Sequence, residues 1–158
     1  MQWADARRLS WSDFLGVPQM SSENAAVTSY ILTYIGECGS NGFSYRVTAA
    51  FVPRKSWVKP AVVMLGFAGR RALQHEQTHF DLAEVHARTI RQALAAVTEP
   101  CGLSDPERHA LVAGLIQGDA DAQQQYDAET ANGRDFDRQG EWDTKVARAL
   151  ASLKRYAE

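Results

Sequence analysis

Residues 71–88 read RALQHEQTHFDLAEVHAR, and within them HEQTH sets His75 and His79 four residues apart with Glu76 directly after the first. On a helix turning about 100° per residue, His79, Leu82, His86, Ile90 and Ala93 fall within about 60° of His75, while Gln74, Gln77, Asp81, Arg88 and Gln92 fall opposite. Two imidazoles one turn apart, roughly 6 Å between side chains, can converge on one tetrahedral Zn2+ at zinc–nitrogen distances near 2.0 Å. Glu76 lies about 100° round from His75, beside such an ion and not among its ligands. Zinc lowers the pKa of a coordinated water towards about 7, and a carboxylate in that place takes the proton as the water attacks a carbonyl, then returns it to the leaving amine. One inward histidine is ordinarily a hydrogen-bonded core residue. Two at this spacing with a glutamate between them serve no packing need, so His75 and His79 are expected as zinc ligands and Glu76 as the general base.

The other acids and histidines on these helices read more plainly. His86 shares the stripe but lies about 10 Å further along the axis than His79, which makes it a core or supporting residue and not a ligand of the same ion. His109, in PERHALV, reads as a partly exposed helix residue. Asp81 and Glu84 lie on the polar side, where Glu84 can pair with Arg88 at i+4, so a solvated face is expected there. A catalytic zinc needs a third protein ligand and an open position. The HEQTH helix has none to spare, so the ligand comes from another element. The next long helical stretch has an inward stripe of Leu111, Leu115, Ala122 and Tyr126, with Asp119 near its middle and Asp127 and Glu129 at its borders, and periodicity does not choose among these acids.

The elements that must position these groups fall into two halves. From about Ala26 to Phe51 the residues read as strands: AVTSYILTYI is rich in β-branched and aromatic types, and FSYRVTAAF alternates Phe43, Tyr45, Val47, Ala49 and Phe51 against Ser44, Arg46 and Thr48. GECGSNG between them has the glycines and Asn-Gly of a turn. VPRKSWVKP reads as the end of the strand region, between two prolines. Three helices are predicted: Arg70 to Thr98, Ser104 to about Ala131, and about Arg138 to Tyr156. Ser104 with Glu107 forms a capping box with Pro106 in the first turn, and Asn132-Gly133 is a left-handed stop. The expectation is one α+β domain over residues 1–158, a small antiparallel sheet from the N-terminal half packed on three helices.

A formal net charge of −2 and a pI near 6.1 give no electrostatic reason to expect nucleic acid or an anionic membrane as partner. No run of eighteen apolar residues is present to span a bilayer, and MQWADARRLSWSDF lacks the apolar segment of a signal peptide, so a soluble chain is expected. Cys38 and Cys101 sit in loop-like contexts that allow one disulfide without requiring it.

The order of LSWSDFLGVP, AAVTSY, FSYRVTAAFVPRKSWVK, LQHEQTHFDLAEVHAR, QQQYDAETANG and QGEW resembles the bacterial family of predicted secreted zinc-dependent proteases, long filed as a domain of unknown function. The likeness runs from about Leu9 to Trp142. It implies a zincin-like domain with a short sheet on the active-site helix, and an extracytoplasmic setting, periplasmic or secreted. Within YDAET it favours Asp127 as the third zinc ligand over Glu129, Asp119 and Asn132. Two positions depart from the pattern: Thr78 stands where glycine is usual, and Asn132 where a histidine would be. The expected activity is that of a zinc metallopeptidase acting on a protein or peptide substrate, with hydrolysis of a cell-wall amide and a zinc-holding binding module as the alternatives. FSYRVTAAF is the candidate for an edge strand that pairs with an extended substrate.

Overall fold

The computed structural model describes residues 1–158 and is built around one helix. In chain order the regular elements are β1 (Ala26–Val27), β2 (Tyr30–Gly39), β3 (Gly42–Phe51), β4 (Trp57–Val58), α1 (Pro60–Val63), α2 (Phe67–Ala95), α3 (Asp105–Glu129) and α4 (Phe136–Ser152). The α+β expectation holds: β2 and β3 form a ten-residue antiparallel hairpin, β1 and β4 a second small antiparallel sheet, and the helices pack against them.

The hairpin register pairs Tyr30 with Phe51, Tyr34 with Val47 and Cys38 with Phe43, and the chain reverses between Gly39 and Gly42. Gly42 has φ +93°, a conformation that glycine adopts without a Cβ penalty. The alternation expected for FSYRVTAAF holds in part: Val47, Ala49 and Phe51 are buried and Ser44 and Arg46 exposed, but Tyr45 is exposed and Thr48 is buried. These side chains meet Phe80, Ala83, Ala87 and Ile90 of α2 to form the main core, closed by Leu9 and Phe14 from the N-terminal segment. A second cluster of Leu82, Tyr126, Trp142 and Val146 joins α2 to α3 and α4.

Several boundaries differ from expectation. AVTSYILTYI is not one strand but two, because at Thr28 and Ser29 the chain leaves one sheet for the other: Thr28 Oγ1 donates to Glu76 O, and Ser29 N donates to Ser56 Oγ. VPRKSWVKP contains β4, paired with β1, before Pro60 opens the short α1 that makes four helices instead of three. Helix α2 starts at Phe67, three residues before Arg70, and includes Gly69, where a Cβ would stand 2.5 Å from the Val62 carbonyl oxygen. The glycine is a contact point between α1 and α2 and not a helix boundary. Helix α2 stops at Ala95 and not Thr98, ahead of a left-handed Glu99 and Pro100. Helix α3 starts behind the Ser104–Glu107 capping box as expected and ends at Glu129, where Ala131, Asn132 and Gly133 all take positive φ. Helix α4 begins at Phe136, capped by the Asp135 side chain, which accepts from Arg138 N.

The polar side of α2 is not solvated. Gln77, Asp81, Glu84 and Arg88 are buried, because the N-terminal segment, itself hydrogen-bonded to β3, and the end of α4 cover this face of the helix. Gln77 Oε1 accepts from Leu9 N, Asp81 takes Trp3 Nε1 and Arg8, and Arg88 lies over the Trp3 ring. Glu84 does pair with Arg88 at i+4, but in the interior, with Arg91 as a second partner that also donates to the Val47 carbonyl. On α3 the inward stripe passes through Val112, Asp119 and Tyr126, and Leu111 faces outward. Cys38 at the hairpin tip and Cys101 between α2 and α3 form a disulfide. No helix is long and apolar enough to cross a membrane.

Candidate metal centre

Helix α2 projects His75 and His79 from successive turns towards the C-terminal end of α3, where Asp127 meets them. His75 Nε2 and His79 Nε2 are 3.2 Å apart, and Asp127 Oδ1 lies 3.1 Å from the first and 2.9 Å from the second. Of the acids open to choice in the sequence, only Asp127 reaches the histidine pair. Asp119 is buried about two turns too early and accepts from the Tyr30 hydroxyl and Gln123. Glu129 points away, to Gln125 and Trp142 Nε1. Asn132 lines the same cleft without a hydrogen bond to either histidine. His86 is half-buried, stays outside the cluster, and is held below its ordinary pKa by burial. His109 is exposed on α3 against Tyr34, as its sequence context suggested.

The outer nitrogens of the two rings decide what the inner ones can do. His75 Nδ1 faces Gln139 Oε1 at 3.0 Å, and His79 Nδ1 faces Gln123 Oε1 at 2.6 Å. Neither amide can be turned round. Gln139 spends its nitrogen on Asp143 Oδ1 and its oxygen also accepts from the Tyr126 hydroxyl, while Gln123 donates to the His79 carbonyl and to Asp119. Both glutamines therefore present oxygen, and both histidines must donate from Nδ1. In the neutral rings the two Nε2 atoms are then bare lone pairs, aimed at each other and at a carboxylate oxygen. Three acceptors this close need a cation between them, either a proton or a metal ion.

Charge in the cluster behaves accordingly. Burial alone would lower the pKa of His79, but the hydrogen bond to Asp127 and the nearby charges of Glu76 and Asp127 outweigh it and raise the value above the ordinary one. Burial alone would raise the Asp127 carboxyl, and the hydrogen bonds and charges of His75 and His79 hold it well below the usual carboxylate range. The spacings also suit a small ion. Ligand atoms of a tetrahedral site lie about 1.63 bond lengths apart, about 3.3 Å for zinc at 2.0 Å, close to the 2.9 to 3.2 Å separations of these three atoms.

Glu76 is buried beside this cluster, and its Oε2 has no hydrogen-bond partner. It opens onto a cleft of about 360 Å³. One wall is the segment 24–28 carrying β1, the opposite wall is Asn132 to Phe136, and the floor is α2 from Ala68 to His79. The strand bordering the cleft is thus β1, not FSYRVTAAF, which forms β3 behind α2. Lys59 N donates to Ala25 O, so in the β1–β4 ladder Ala26 turns its own N–H and C=O away from β4, to an edge no other strand covers. Gly133, at φ +76°, packs its backbone on the His75 ring, where a Cβ would lie 2.9 Å from Cγ.

In the sequence, Gln139, Gln123, segment 24–28 and Gly133 show no part in the site: Ala26 onward reads only as strand and Gly133 only as a helix stop. Only Gln123 carried a usable signal, since it stands four residues from both Asp119 and Asp127 on one face of α3.

Comparison with curated proteins and with solved structures gave no match. Residues 23–134, which contain β1 to α3 with His75, Glu76, His79 and Asp127, match a family model described as bacterial protein of unknown function, and the chain is therefore a member of that family, DUF922.

Proposed function

We propose that the protein is a zinc-dependent metallopeptidase of zincin type, with His75, His79 and Asp127 as ligands and Glu76 as the general base. The observation that carries this reading is the convergence of three acceptor atoms, two of them stripped of protons by fixed glutamine partners, next to a buried glutamate oxygen with nothing to bind.

Bound zinc would supply Lewis acidity towards water and a peptide carbonyl. Glu76 Oε2 accepts the proton of the attacking water and passes it to the leaving amine nitrogen as the C–N bond breaks. The open edge at Ala26 offers one N–H and one C=O to an extended peptide, which holds its backbone across the cleft and reads shape more than sequence. Gln139 and Gln123 keep both rings in the ligating tautomer throughout, a role that outer partners of metal-bound histidines commonly fill. The Cys38–Cys101 disulfide supports the extracytoplasmic setting that the family resemblance implies, because disulfides persist in oxidising compartments.

The test is direct. Purified protein should carry about one zinc per chain, and Glu76→Gln should keep that zinc while hydrolysing casein at least about a hundredfold more slowly. Wild-type protein that holds zinc but shows no chelator-sensitive cleavage of casein or of cell-wall peptides would leave a binding module as the better description.

A further inference from the structure

Arg71 stands one helical turn before His75 on α2, on the face that floors the cleft, so its Cα lies about 6 Å along the axis from that of His75. Its guanidinium rests on the Phe136 ring, with Cζ 4.7 Å from the ring centre, and Nη2 donates to the Phe136 carbonyl. That anchoring fixes the plane of the group and uses one of its five N–H donors. Nε is buried without an acceptor, and no carboxylate of the chain pairs with Arg71.

A second cation, Arg134, lines the opposite wall and likewise has no carboxylate partner. The only acids lining the cleft are Glu76 and Asp127, both committed to the centre itself. With a divalent ion in place the cleft is therefore net positive, and its free cationic donor sits beside an apolar wall of Val62, Leu65 and Phe136. Such a surface favours an anionic group attached to an apolar chain.

We propose that Arg71 is a specificity residue that receives a carboxylate of the substrate close to the scissile bond, so that the cleft selects acidic peptide ends or acidic residues over their uncharged counterparts. The shared chemistry is a carboxylate, supplied either by a free peptide C-terminus or by an acidic side chain. This inference rests on the peptidase reading for the meaning of the scissile bond, but binding tests it without turnover.

The experiment uses zinc-loaded Glu76→Gln protein and four N-acetylated peptides that differ in two places, C-terminal acid or amide and glutamate or glutamine, with affinity measured by calorimetry. At least one acid should bind roughly tenfold or more tightly than its uncharged partner, the strength expected of a charge-assisted pair. Which one does so identifies the source of the carboxylate. Adding Arg71→Gln should bring that ratio close to one, and Arg71→Lys should restore part of it. A melting curve and zinc content on each variant show whether the fold and centre are intact. Equal binding of acids and amides by folded, zinc-loaded protein overturns the inference, as does a preference that survives Arg71→Gln. Casein hydrolysis by the same wild-type preparation decides the peptidase reading separately.

Discussion

At the scale of single residues, the choice among Asp119, Asp127 and Glu129 comes down to which carboxylate has other work. Asp119 is occupied by Tyr30 and Gln123, and Glu129 by Gln125 and Trp142, whereas Asp127 Oδ1 has only the two imidazoles. Asp127→Ala should therefore weaken zinc binding by roughly a hundredfold or more while the fold survives, since the buried Val112 and Tyr126 of α3 are untouched. Glu129→Ala should leave zinc affinity unchanged. Competition with a chromophoric chelator measures both, and full zinc retention by Asp127→Ala would remove it from the ligand set.

At the scale of elements, the turn after α3 matters as much as the helices it joins. Three consecutive residues with positive φ, Ala131 to Gly133, swing the chain so that the backbone of Gly133 touches the His75 ring and α4 can bring Gln139 to the ring's far nitrogen. Gly133→Ala adds left-handed strain of about 1 kcal/mol and a Cβ inside contact distance of the imidazole. The expected result is a destabilisation of roughly 1–3 kcal/mol in urea together with weaker zinc binding, because the ring must move to make room. The neighbouring Asn132 has φ +54°, a conformation that glycine takes without penalty, and Asn132→Gly should cost little or nothing in stability or in zinc. Equal behaviour of the two variants would mean that the turn supports the fold without positioning His75.

At the scale of the whole molecule, the hairpin is held to the helical half by the core between β3 and α2, by the hydrogen bonds from Tyr30 to Asp119 and from Arg91 to Val47, and by the disulfide at its tip. The Cys38–Cys101 bridge closes a loop with a sequence separation of 63 residues. Loop entropy for that length is worth up to about 4 kcal/mol, so a Cys38→Ser and Cys101→Ser double variant should melt roughly 8–16 °C lower. The bridge is remote from the cleft, which contains neither cysteine, so zinc content at room temperature should not change. A double variant that melts with wild type in a thermal scan would show that the core alone sets the stability.

The sequence by itself determined whatever depends on neighbours within a helical turn or a strand repeat. The 3.6-residue period placed His75 and His79 on one face with Glu76 beside them, the two-residue period oriented β3, and the Ser104–Glu107 box opened α3. The tertiary structure alone decided what meets those faces. Asp127 lies 52 residues from His75, and Gln139 lies 64. Period within one element carries no information about which distant group arrives. The same limit explains Asp81, Glu84 and Arg88: their polarity signalled a wet surface, but polar side chains stay buried where Trp3, Arg8 and Arg91 supply partners, and only the packed chain brings those partners in.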